Sequence, residues 1–133
     1  MLLAGHSGGA AIADVMGRRP GIADGALLVS CPCDVMRWRQ HMKNTTQGRI
    51  WDIPVNAVSP VDVVAGIDRK ARLAVMIGDH DEVAPPELSR DYRDRLQARG
   101  LAVTYVEVPG ADHEVFDHLL VHRAASDLLR SLR

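Results

Sequence analysis

The stretch that decides the fold is Leu2-Leu3-Ala4-Gly5-His6-Ser7-Gly8-Gly9-Ala10-Ala11-Ile12-Ala13: a short apolar run, a glycine-flanked serine, then helix formers. Gly5-His6-Ser7-Gly8-Gly9 matches G-x-S-x-G between the end of a strand and the start of a helix, the context in which that pattern has a mechanical meaning. So tight a turn leaves no room for side chains flanking the serine, which is why glycine is expected at Gly5 and Gly9. The serine is forced into a strained backbone conformation and its hydroxyl projects from the turn. The backbone N–H of Gly8 then faces the place where a tetrahedral oxyanion would form, at the positive end of a helix. The plainer reading of the same five residues is a glycine-rich turn whose serine caps the helix.

Outward from the turn, strand-like and helix-like patterns alternate. Leu2 to Ala4 reads as the end of a strand, and Ala10 to Met16 as a helix stopped by Gly17 and Pro20. Gly25 to Cys31 is a nearly continuous apolar run, as in a strand buried on both faces, and Pro32 ends it. Residues 34–68 are poorly periodic and read as a helix or two with irregular connections. Ala71 to Ile77 is a further buried strand. Glu87 to Ala98 is an amphipathic helix with Leu88, Tyr92 and Leu96 at spacing four. Ala102 to Val108 is the last strand, and Val115 to Leu132 a long terminal helix. Such alternation predicts an α/β fold, a parallel sheet of about four strands with helices on both faces. Ligands of such sheets sit beyond the carboxyl ends of the strands. The polar residues there are Ser7, Asp34, Asp79, Asp81, Asp112 and His113.

Composition narrows the function classes. The 133 residues are 47% hydrophobic and 25% charged, an ordinary balance for a folded chain. A formal net charge of -1 carries no basic excess for nucleic acid or an anionic membrane. No apolar run reaches the roughly 20 residues of a membrane helix, and the N-terminus lacks a secretory pattern. The expected compartment is the cytoplasm, and Cys31 and Cys33, too few for a disulfide framework and read as pointing to opposite faces of a strand, are expected as reduced thiols.

A serine hydroxyl needs a base to become a nucleophile, and the base needs a third group to orient it. The order for a G-x-S-x-G turn in an α/β sheet is serine, acid, histidine. The chain supplies it at the ends of strands, in Gly78-Asp79-His80-Asp81-Glu82-Val83-Ala84-Pro85 and in Gly110-Ala111-Asp112-His113-Glu114. With these segments the chain resembles the C-terminal half of an alpha/beta-hydrolase-fold serine hydrolase. GHSGG at 5–9, AVMIGDHDEVAP at 74–85 and VEVPGADHEVF at 106–116 carry the resemblance. Within the fold it looks most like the prolyl oligopeptidase and dienelactone hydrolase group, to which the stretch Ala57-Val58-Ser59-Pro60-Val61-Asp62 adds a weaker likeness.

The resemblance implies a triad of Ser7, Asp81 and His113, attacking an ester, thioester or peptide carbonyl through an acyl-enzyme, with Gly8 N–H as one oxyanion donor. Asp79 and Asp34 stand as alternative acids, because both follow strands. Asp112 is read as shaping its turn, and His6 as packing in or lining the site. The segment 34–70 is expected as a short lid-like part of one partial domain spanning 1–133. With His6, Trp38 and Trp51 as candidates for the substrate pocket, its basic, Trp-containing character would favour acidic or aromatic substrates; the blander reading is a covering helix with solvated arginines. No cofactor and no metal are expected. His118 and His122, four apart, read as a solvated helix face.

The family's sheet has earlier strands that bring the second oxyanion donor, and no segment here can play that part. The expectation is therefore a truncated reading frame or a fragment, the catalytic half of a longer chain. Its first strand would have a bare edge open to a homo-oligomer or a complementing chain. A catalytically inactive remnant or a binding module that keeps the motif is the alternative.

Overall fold

The computed structural model describes residues 1–55 and 58–133; Ala57, which opens the Ser-Pro stretch of the sequence reading, lies outside them. Four parallel strands form one sheet in the order β1 (Leu2–His6), β2 (Gly25–Val29), β3 (Arg72–Gly78), β4 (Ala102–Val108). The helices are α1 (Ile12–Arg18), α2 (Val35–Thr46), α3 (Pro86–Ala98) and α4 (Leu119–Ser131). This is the predicted α/β architecture. β1 and β4 are the outer strands.

The sheet has helices on both faces because β2 and residues 73–78 of β3 are buried at every position, whichever way they face. Their alternate side chains enter two separate cores. Ala26 and Leu28 of β2 and Leu73 and Val75 of β3 pack with Ala13 and Met16 of α1 and Tyr92 and Leu96 of α3. Their neighbours Leu27, Val29, Ala74 and Met76 face the other way, against Val121 and Leu128 of α4. Truncating a side chain such as Leu28, which is fully buried, costs about 2–5 kcal/mol in a core of this kind.

Several boundaries differ from the sequence reading. β1 runs on to His6, with Gly5 opposite Leu28 and His6 opposite Val29, so the serine follows the strand directly. The first helix opens with a 3-10 turn over Ser7–Ala11 before becoming α-helical. β2 stops at Val29 because Ser30 takes a left-handed φ of 55°. The terminal helix begins at Leu119, not Val115, since His118 caps it: its Nδ1 accepts from the Leu120 N–H at 3.1 Å. The segment 34–70 splits in two. α2 stays at the surface, whereas Ser59, Pro60, Val61, Val64 and Ile67 are buried and belong to the body of the fold.

One expectation is overturned. Cys31 and Cys33 are joined in a disulfide, with Cα atoms 5.1 Å apart. Their Cα separation is shorter than the roughly 6.6 Å that two residues span in an extended strand, so the chain bends at Pro32 and brings the two sulfurs together in the core. The opposite-face expectation fails with the free-thiol one, since residues two apart in a strand share a face. Among the described residues, no helix is long and apolar enough to cross a membrane.

Candidate active site

The turn after β1 forces Ser7 to a φ of 54°, a conformation that costs a non-glycine residue about 1–3 kcal/mol and survives only where the surroundings impose it. The imposing contact is between Gly5 and Gly9. A Cβ at Gly5 would stand 2.2 Å from the Gly9 carbonyl oxygen, so the strand end and the turn touch backbone to backbone. The two glycines are not equivalent, as the sequence reading had them. A Cβ at Gly9 would meet nothing within 4 Å, because it is the carbonyl of Gly9, not its Cα, that crowds the strand.

Beyond β3 and β4 the chain makes two loops that are stitched together. Asp79 N–H donates to the Val108 carbonyl (3.1 Å) and His80 N–H to that of Ala111 (2.9 Å). Asp79 Oδ1 accepts from Gly110 N–H at 2.7 Å. At Gly78 a Cβ would sit 2.2 Å from the Ala111 carbonyl oxygen, so only glycine lets the loops approach this closely. The first loop presents Asp81, the second His113.

These two residues meet Ser7. His113 Nε2 lies 2.7 Å from Ser7 Oγ, and His113 Nδ1 lies 2.9 Å and 3.1 Å from the two carboxylate oxygens of Asp81. The Asp81 side chain has no exposed surface and that of His113 is 12% exposed. A buried carboxylate must be fully paired to be tolerated. Asp81 Oδ1 also accepts from the backbone N–H groups of Val83 (2.9 Å) and Ala84 (2.7 Å). The imidazole therefore has an acceptor on one nitrogen and a hydroxyl on the other, the arrangement that moves a proton off an attacking oxygen.

The other sequence candidates fall elsewhere. Asp79 holds the loop and contacts the neighbouring His80 ring. Asp34 caps α2, accepting from Arg37 N–H at 3.2 Å. Asp112 accepts from Glu114 N–H at 2.9 Å and shapes its turn. His6 is turned toward the histidine loop: its Nε2 is 2.7 Å from the His113 carbonyl oxygen, and its ring lies 5.1 Å from that of His113 and 5.7 Å from Phe116. Trp38 packs edge-on with Trp51, ring centres 5.2 Å apart.

The sequence reading missed Ser30. It is fully buried, and its Oγ donates to the His113 carbonyl oxygen at 3.0 Å. The position lay inside the apolar run read as a strand to Cys31, so the residues sought beyond that strand began at Asp34. A polar residue inside a proline-ended apolar run is the available signal.

The chain matches no family model and no curated protein. It is similar to solved structures over nearly its whole length. It covers 98% of itself and 67% of a monoacylglycerol lipase from Paleococcus ferrophilus, at 18% identity and a TM-score of 0.66. It covers 98% of itself and 20% of a puromycin-hydrolyzing peptidase from Mycobacterium tuberculosis, at 17% identity and a TM-score of 0.70. For an acylaminoacyl peptidase from Pyrococcus horikoshii the shares are 98% and 23%, with 13% identity and a TM-score of 0.72. The chain thus spans about two thirds of the lipase and about a fifth of each peptidase. At such identities the likeness is one of fold.

Proposed function

We propose, from the premise that this chain carries part of an alpha/beta-hydrolase fold, that it is a serine hydrolase acting on an ester, thioester or peptide carbonyl. The observation that carries the reading is the continuous chain of contacts from Ser7 Oγ through both ring nitrogens of His113 to the buried Asp81. Ser7 Oγ attacks the carbonyl carbon while its proton passes to His113 Nε2. Asp81, facing Nδ1, keeps the imidazole in the tautomer whose Nε2 can accept, then stabilises the imidazolium that forms. The oxyanion receives the Gly8 N–H at the start of the turn. Collapse of the tetrahedral species breaks the bond to the leaving group, which takes the proton from Nε2. Water, deprotonated by the same nitrogen, then releases the acid and restores Ser7.

Hydrolysis of p-nitrophenyl acetate tests this. The whole chain is expected to turn the ester over, and Ser7→Ala or His113→Ala to lower kcat on the order of a millionfold. Turnover that survives Ser7→Ala contradicts the reading.

A further inference from the structure

A cavity of about 400 Å³ opens beside the serine, at the lower end of the size range of small-molecule sites. Ser7 and Gly8 line it together with Cys31, Val35, Trp38 and Pro60. None of the described residues lining it is charged. The indole N–H of Trp38, the polar atom of its largest wall residue, is satisfied outside, by the Val83 carbonyl at 3.1 Å.

Four basic residues of the surrounding segment are engaged away from the cavity. Arg37 is paired with Asp91, and Lys43 with Asp52. Arg39 donates to the Ile53 carbonyl at 2.7 Å and stands 5.5 Å from the Trp51 ring centre. The His41 ring is bonded to the Glu82 carbonyl. The acidic-substrate preference that the sequence of this segment suggested has no free cation among these four.

The geometry also fixes which part of a substrate enters. The leaving atom must take its proton from His113 Nε2 and so lies beside that ring. The cavity is lined by Ser7 and Gly8 but not by His113. What enters is therefore the group on the other side of the carbonyl. We propose that this cavity is the acyl pocket of Ser7, that it takes a neutral, apolar acyl group of medium length, and that Trp38 is the residue that sets this specificity. The inference rests on Ser7 being the nucleophile.

The test is kcat/KM for the p-nitrophenyl esters of acetate, butanoate, hexanoate and monoglutarate, the last being close to hexanoate in size but ending in a carboxylate. The expected result is a rise of roughly fourfold per methylene from acetate to hexanoate. Monoglutarate is expected at least about a hundredfold below hexanoate, because its carboxylate would be buried without a partner. Val35→Phe, which fills the cavity, and Trp38→Ala, which removes a wall, should each lower the hexanoate-to-acetate ratio at least about tenfold. A flat series, a glutarate ester as good as hexanoate, or a ratio that neither variant moves overturns the pocket assignment while leaving the nucleophile standing. Acetate turnover that is absent, or that survives Ser7→Ala, removes the nucleophile and the pocket with it.

Discussion

The hydroxyl of Ser30 donates a 3.0 Å hydrogen bond to the carbonyl oxygen of His113, 83 positions further along the chain. The same oxygen is approached by His6 Nε2 at 2.7 Å, so the end of β1 and the residue after β2 both hold the backbone that carries the imidazole. Ser30→Ala removes one of the two donors and leaves the other. Its expected effect is a fall in kcat for a small ester of about tenfold with KM nearly unchanged, since small displacements of a reacting group are costly. The accompanying loss of stability, read by urea denaturation, is about 1 kcal/mol. Lost stability with an unchanged kcat would mean that the bond holds the fold and not the base.

Asp81 and Asp79 follow the same strand, and their contacts assign them different work. Asp81→Asn keeps the shape but offers His113 Nδ1 an amide in place of a carboxylate. Turnover should fall by about three to four orders of magnitude. Asp79→Asn loosens the stitching to Gly110 and should cost less than about tenfold. Steady-state kinetics of the two variants on one ester separates them. Equal losses would contradict the assignment.

The two glycines of the turn should respond oppositely to alanine. Gly5→Ala drives a Cβ to 2.2 Å from a backbone oxygen, and neither strand nor turn can move away without disturbing the sheet. A loss above about 3 kcal/mol is expected in thermal or urea unfolding. Gly9→Ala meets open space and should be neutral or stabilising by up to about 1 kcal/mol.

Glu107 of β4 is held to a pKa of about 2, from an ordinary 4.5, first by its hydrogen bonds from Arg90 of α3 and then by that from Tyr105. A lowered carboxylate pKa means that the folded state binds the proton less readily than the unfolded one. Its contribution is complete above the ordinary value and is lost as pH falls from about 4.5 toward 2. Glu107→Gln should therefore be less stable than the parent at neutral pH, and the gap should close across that window. Urea midpoints measured from pH 6 to pH 2 read it directly.

Much of this site was legible in the sequence because its chemistry lies in short contiguous segments. The G-x-S-x-G turn, the acid after β3 and the histidine after β4 each sit where an apolar run ends, and that is visible without coordinates. The bond from Ser30 to a backbone carbonyl 83 positions away belongs to no such segment. The pairing of Cys31 with Cys33 depends on the bend between them that brings their Cα atoms to 5.1 Å, which neither compartment nor strand facing predicts. The asymmetry of Gly5 and Gly9 depends on which backbone atom points at the neighbour, and residue type does not encode that. The start of α4 at Leu119 likewise turns on the capping contact of His118, which helical spacing alone overran.

The most direct measurement of the central claim is covalent labelling of the whole chain with a fluorophosphonate, read by intact mass and peptide mapping. The account predicts a single adduct on Ser7, formed in the native protein, absent after urea unfolding and abolished in His113→Ala. A folded sample that takes up no label while a control hydrolase does, or an adduct that maps to a residue other than Ser7, would contradict it.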